Sequence, residues 1–247
     1  MEQVRLMEVL MNATLASVVD NLLNLTATRD TAEGGGRAHT WVQIGANTLD
    51  SLNTKNDPLL AFVDRVPTWK KFFVEPIPQL YDKLKESVKR WPNSHAVQLA
   101  ISPNASVAET VAAMYCLEEG FQEQRLGTDL PYWANQLCSF DPTHAMRHFP
   151  GKPVRAVNVT AVSVPEMLSR LGLQAVDVLL IDTEGFDAQV VRQIPFDRIR
   201  PSLVLWEHKH LHESRHATEE YMRAQCYAVF QVDHENTAGL ALPLFGG

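Results

Sequence analysis

The chain has 247 residues, 45% hydrophobic, 21% charged and 8% aromatic, which suits one large α/β domain or two small ones around a closed core. With 22 Lys and Arg against 29 Asp and Glu, the formal charge of −7 argues against a general attraction to nucleic acid or anionic lipid. No apolar run approaches the roughly 18 residues of a membrane span, and the N-terminus lacks the pattern of a signal peptide, so the chain reads as soluble.

Cys116, Cys138 and Cys226 are odd in number, widely separated and in no C-x-x-C arrangement. They are read as reduced, buried thiols, with neither a disulfide framework nor a cysteine-based zinc site. Four N-x-S/T sequons, at Asn12, Asn24, Asn104 and Asn158, point the other way, toward a luminal history. The cytoplasm is therefore the first reading of location and the secretory-pathway lumen the second.

Taken in chain order, Met7, Met11, Leu15, Val18 and Leu22 recur at helical spacing and predict an amphipathic N-terminal cover helix. Gly34-Gly35-Gly36 then marks a linker, which divides the chain into residues 1–36 and a main domain over residues 37–247. Those glycines precede the first strand, whereas a phosphate loop needs them between a strand and its helix. Trp41-Val42-Gln43-Ile44 reads as a buried strand, followed by Phe72-Phe73-Val74 and by Ala96 to Ile101. A helix is expected over Gln79 to Trp91, where Leu80, Leu84, Val88 and Trp91 form a stripe behind Pro76 and Pro78. Ala108 to Pro153 is less regular and reads as an insertion on the substrate side. Val176 to Ile181 is the strongest strand, followed by a helix near Ala188 to Gln193 and a strand Leu203-Val204-Leu205-Trp206. Tyr227 to Val232 and Thr237 to Leu242 read as an antiparallel pair. Repeated βαβ units imply an α/β fold with a mainly parallel sheet, helices on both faces and a C-terminal hairpin.

Ligands of an open parallel sheet bind beyond the carboxyl ends of its strands. Each expected strand end here carries polar groups: Gly45-Ala46-Asn47, Glu75, Ser102, Asp182-Thr183-Glu184-Gly185 and Glu207-His208-Lys209-His210. Singly, each has an ordinary explanation as a turn glycine, a helix-capping acid or a solvated loop. His212-Glu213-Ser214-Arg215-His216 also matches H-E-x-x-H, which on a helix would put two zinc ligands on one face. Local histidine richness makes that match cheap, no third ligand is evident, and the reading assigns no metal site.

The blocks V-Q-I-G-A-N from Val42, V-E-P from Val74, L-A-I-S from Leu99, I-D-T-E-G-F-D from Ile181 and W-E-H-K-H-L from Trp206 resemble the successive motifs of FkbM-type methyltransferases. The resemblance runs in order from about Thr40 to Leu242. It implies a Rossmann-like methyltransferase fold that uses S-adenosylmethionine. By that resemblance Gln43, Gly45, Ala46 and Asn47 lie along the cofactor, Glu75 takes the ribose hydroxyls, Ile101 and Ser102 border the adenine, and Asp182 faces the methionine end. Gln43 stands where methyltransferases often carry an acid, and the glycine-rich turn is reduced to a single glycine.

The reaction expected is O-methylation of a hydroxyl on a small molecule or sugar, with His208 as the first candidate base and Glu184, Asp182 and Glu207 as alternatives. A divalent metal is compatible with this chemistry but nothing in the sequence calls for one. Rival readings are a non-catalytic binding domain of the same fold, an NAD-dependent oxidoreductase, which lacks G-x-G-x-x-G, and a zinc hydrolase built on the H-E-x-x-H match. Tyr132, Trp133, Asn135 and Gln136 in the insertion mix stacking surface with amide donors and are candidates for acceptor specificity.

Overall fold

A computed structural model describes residues 38–49, 60–118, 130–131, 134 and 137–242. The expected N-terminal helix, the glycine-rich linker and Tyr132, Trp133, Asn135 and Gln136 lie outside the described residues.

The central parallel strands are β1 (Thr40–Ile44), β2 (Lys70–Val74), β3 (Ser94–Val97), β8 (Val178–Ile181) and β9 (Leu203–Glu207), all in one sheet. Two antiparallel strands, β10 (Tyr227–Gln231) and β11 (Asn236–Ala241), complete it in the order β3-β2-β1-β8-β9-β11-β10. The sequence expectation of a mainly parallel sheet ending in a hairpin is met, and the fold is Rossmann-like. Side chains alternate between two cores. Val42, Ile44, Phe72, Val74, Leu179 and Ile181 point to one face, whereas Trp41, Phe73, Val178 and Leu180 point to the other.

Helices cover both faces. On the first lie α4 (Val164–Arg170), α5 (Asp187–Val191) and α6 (Ser214–Ala224), contributing Met167, Val190 and Met222. On the second lie α1 (Leu60–Val63) and α2 (Pro78–Ser87), which contribute Val63 and Leu84. The helix expected to reach Trp91 ends at Ser87 and tightens into a 3-10 turn over Val88–Arg90, whose Val88 continues the buried stripe. At the start of β1, the buried Asp177 accepts the Thr40 N–H at 2.8 Å and meets His39 Nδ1 at 3.0 Å, so a polar clamp sets the register of β8 against β1.

Two expectations need correction. The single strand expected over Ala96 to Ile101 is broken: β3 ends at Val97, and β4 (Ala100–Ile101) belongs to a second sheet. That sheet, ordered β4-β7-β5-β6, also contains β5 (Thr110–Leu117), β6 (Cys138–Ser139) and β7 (Val154–Val162). Much of the interval read as irregular is thus a long antiparallel pairing of β5 with β7, from Thr110 opposite Ala161 to Leu117 opposite Val154. A short helix, α3 (Pro142–His148), follows β6 and is capped by the Asp141 side chain, which accepts the Thr143 N–H.

The cysteines are the second correction. Cys116 and Cys138 face each other across β5 and β6 with Cα atoms 4.3 Å apart and are joined by a disulfide, while Cys226 is exposed. Directly opposed antiparallel positions bring Cα atoms to about 4.5–5.5 Å, so sheet register, which cysteine spacing does not reveal, created the pair. Among the described residues no helix is long and apolar enough to cross a membrane.

Closing a loop of 22 residues contributes about 3 kcal/mol. Thiol titration of the unfolded, unreduced chain should therefore find one thiol, Cys226, and reduction should lower the unfolding free energy extrapolated from urea titration by an amount near that value. Three titratable thiols without reductant would contradict the pairing.

Candidate active site

Sheet order reverses at β1, which has β2 on one side and β8 on the other, and the crevice opens beyond their carboxyl ends. Gly45 turns there with φ +80°, and a Cβ on it would stand 1.6 Å from the Asp182 carbonyl oxygen. Only glycine permits that approach. The N–H groups of Gly45 and Ala46 both donate to the Val74 carbonyl at 2.9 Å, and the Asp182 N–H donates to the Ile44 carbonyl at 3.0 Å. The ends of three strands are thereby fixed to one another. Asn47 follows with φ 52°, a left-handed conformation that asparagine tolerates, and its N–H donates to Glu75 Oε2 at 3.0 Å. Glu75 Oε1 accepts the Ile77 N–H at 2.9 Å, so this buried carboxylate is aimed by two backbone donors. Burial pushes its pKa up to about 7 against the lowering effect of those bonds.

Beyond β8 the chain makes a second unusual turn, with Glu184 at φ 52° and Gly185 at φ 97°. The Glu184 carbonyl accepts from Ser139 Oγ at 2.9 Å, and its carboxylate meets His144 Nε2 at 2.9 Å. Buried Asp187 accepts the Thr183 hydroxyl at 3.1 Å and holds the turn from below. Burial likewise raises Asp187 to about 7.

These turns border a cavity of about 640 Å³ with two unlike ends. Leu80, Leu99, Ile101 and Met114 line one end, the last two contributed by the second sheet. Asp182, Glu184, Glu207 and His210 line the other. Burial, followed by the charges of Asp182 and Glu184, drives the Glu207 carboxyl far above its ordinary value. Its Oε2 is buried with no hydrogen-bond partner among the described residues, an arrangement that invites a cation or a donor. His210 Nε2 lies 3.6 Å from Glu207 Oε1 and 4.0 Å from Glu184 Oε2. Burial, then the neighbouring His144 and His148, lowers His210 to about 4 and keeps its imidazole neutral.

Gln43, Gly45, Ala46, Asn47, Glu75, Ile101, Asp182, Glu184 and Glu207 therefore come together around one cavity. Two expected site residues do not. Ser102 is buried beside it, with its carbonyl accepting from Gln193 Nε2 at 2.7 Å and its N–H bonded to Val162. His208 is buried against Thr237, whose Oγ1 lies 2.9 Å from His208 Nδ1, and its side chain does not border the cavity. The chain turns directly after β9, so the side chains that reach the cavity from that loop are Glu207, Lys209 and His210.

The H-E-x-x-H match does not form a helical pair. His212 has φ 44° ahead of α6, and His216 is exposed and paired with Glu220 at 3.2 Å. His144 and His148 were not singled out by the sequence reading, although Asp141-Pro142 is a helix-start signal and the two histidines stand at i and i+4 behind it.

Residues 43–230 match the family profile of the methyltransferase FkbM domain, and the chain belongs to that family. No curated protein matches it by sequence. Similar solved structures include the precorrin-6y C5,15-methyltransferase of Geobacter metallireducens GS-15, at 10% identity and TM-score 0.42 over 88% of this chain and 87% of that one. The fibrillarin pre-rRNA processing protein of Methanococcus jannaschii is similar at 9% identity and TM-score 0.45, over 83% and 67% of the two chains. Precorrin 8w decarboxylase of Methanobacterium thermoautotrophicum aligns at 8% identity and TM-score 0.39, over 89% and 90%.

The raised carboxyls give stability a definite pH dependence. Between its ordinary value of 4.5 and about 7, folded Glu75 keeps a proton that the unfolded chain has released. Its contribution therefore falls as pH rises through that window, by about 3 kcal/mol in all, and levels off above it. Urea unfolding of the ligand-free chain between pH 4.5 and 8 should show a smaller fall in the Glu75→Gln variant than in the parent. Equal slopes would contradict the assignment.

Proposed function

We propose that this methyltransferase binds S-adenosylmethionine in the crevice and methylates a hydroxyl of a small molecule or sugar, with residues 37–247 as the catalytic domain. The observation that carries the cofactor reading is Glu75, buried at the end of β2 and bordering the cavity beside the Gly45 turn. Each of its oxygens accepts one backbone N–H and retains a lone pair for a ribose hydroxyl. The apolar end at Leu80, Leu99, Ile101 and Met114 suits an adenine ring, and the acidic end suits the positive charges of an ammonium and a sulfonium. When bound, the cofactor supplies the methyl group: its C–S bond breaks as a C–O bond forms to the acceptor, and sulfur keeps the electron pair.

The protein's part is to hold the acceptor oxygen in line and to receive its proton. We assign the proton to Glu207 and take His208 out of the role of base, since Glu207 borders the cavity with a free oxygen while His208 is engaged by Thr237. A cation in the acidic end would displace the proton that burial and the neighbouring carboxylates hold on Glu207, leaving its carboxylate able to accept one. A nicotinamide oxidoreductase fits less well, because the β1 turn offers one glycine where a pyrophosphate needs a cradle. The Cys116–Cys138 disulfide and the exposed sequons at Asn104 and Asn158 favour an oxidising lumen over the cytoplasm, and the thiol count described above discriminates between them.

Calorimetry should detect S-adenosylmethionine binding and no NAD binding. Glu75→Ala should weaken the former by about 10- to 100-fold, the worth of a charged hydrogen-bond pair. Glu207→Gln should keep cofactor affinity within a few-fold and lower turnover by about 10² to 10⁴ with an acceptor found by profiling methylated products. Undiminished binding in Glu75→Ala, or full turnover in Glu207→Gln, would reject the corresponding role.

A further inference from the structure

At the acidic end of the cavity three imidazoles converge from two distant segments. His144 and His148 project from one side of α3, and His210 comes from the turn after β9. Their ring centroids are 4.8 Å (His144 to His210), 5.1 Å (His144 to His148) and 5.2 Å (His148 to His210) apart. Each offers a ring nitrogen, and the three nitrogens lie within 4.8 Å of one another. The Glu184 carboxylate stands over the same point, with Oε2 at 2.9 Å from His144 Nε2 and 4.0 Å from His210 Nε2. A second, overlapping group of Glu184, Glu207 and His210 meets the same distance limit.

We propose that His144, His148, His210 and Glu184 bind one divalent first-row transition ion of the zinc class, beside the bound methyl acceptor. Zn–N bonds of about 2.0–2.1 Å in a tetrahedron put neighbouring donors about 3.3–3.5 Å apart. Side-chain movements of at most about 1.5 Å bring the three imidazole nitrogens to that spacing. A set dominated by imidazole selects Zn²⁺, Ni²⁺ or Co²⁺ over Mg²⁺ and Ca²⁺, which take oxygen donors.

The platform is fixed before any ion arrives. The Cys116–Cys138 disulfide lies just ahead of α3, Asp141 caps that helix, and Ser139 Oγ holds the Glu184 carbonyl at 2.9 Å. The His210 loop is fastened by the His208 N–H, which donates to the Glu235 carbonyl at 2.7 Å. His148, His210 and Glu184 all border the cavity, so an acceptor hydroxyl would join the four protein donors as a fifth, from the cavity side. A hydroxyl bound there loses its proton more readily, and Glu207, 3.6 Å from His210, is placed to receive it. This catalytic role rests on the hydroxyl-transfer reading above, whereas the ion site itself does not.

The test is titration of the untagged, chelator-stripped chain with ZnCl₂ by calorimetry, and with CoCl₂ followed by visible absorption. One equivalent of each ion should bind, with a nitrogen-rich low-symmetry cobalt spectrum. His148→Gln and His210→Ala should each weaken zinc binding by at least about 100-fold, beyond what outer-shell partners cost. His216→Ala, an exposed control, should leave it unchanged. Circular dichroism confirms that each variant is folded, and S-adenosylmethionine titration of the stripped chain is run in parallel. Zinc binding without cofactor binding upholds the ion site and rejects the cofactor reading. Cofactor binding without stoichiometric zinc does the reverse, and zinc binding indifferent to both variants or matched by MgCl₂ rejects the ion site.

Discussion

The contact between Gly45 and the Asp182 carbonyl is the constraint on which the crevice depends. A methyl group placed at Gly45 would overlap that oxygen at 1.6 Å, so any side chain there forces β1 and β8 apart where their ends must meet. The same turn spends its two N–H groups on Val74, which carries the constraint to β2, and the next residues deliver the Asn47 N–H to Glu75. One glycine thus sets the positions of the ribose-binding candidate and of the acidic turn at Asp182 and Glu184. Backbone atoms do most of this work, which explains how a motif reduced to one glycine can still build the site.

The acidic end makes physical sense as a place for positive charge. Asp182, Glu184 and Glu207 share a confined volume, and like charges so placed cannot all stay ionised at low cost. In the ligand-free protein burial and the neighbouring carboxylates favour the protonated form of Glu207. A cation would relieve it differently, by compensating the charges and satisfying the unpartnered Oε2. A sulfonium and a metal ion would both answer the same electrostatic demand, and in the proposed arrangement they would meet different parts of it: the sulfonium the side of Asp182, the ion the side of His144 and His148.

The central strands were legible because strands buried on both faces read as apolar runs. Trp41 to Ile44, Phe72 to Val74, Val178 to Ile181 and Leu203 to Trp206 need no partner to be recognised. Their polar ends gave the cavity-lining residues Gly45, Glu75, Asp182 and Glu207. The second sheet was hidden although β5 carries an apolar run from Val111 to Leu117, because its partner β7 only alternates with polar residues, both strands are half-exposed, and they pair over a long sequence separation. The disulfide and the two histidines of α3 belong to that hidden region and were missed with it. The direction of His208 was illegible for a smaller reason: neighbouring side chains diverge where a strand ends, and nothing local tells that Glu207 turns toward the crevice while His208 turns toward Thr237.

A crystal structure of the chain with S-adenosylhomocysteine is the sharpest test of whether the Gly45 turn and Glu75 build a cofactor crevice. The ribose hydroxyls should lie on the Glu75 carboxylate, the adenine against Ile101 and Met114, and the sulfur toward Asp182 and Glu207. A ligand bound outside this crevice, or one inside it with the ribose away from Glu75, would contradict it.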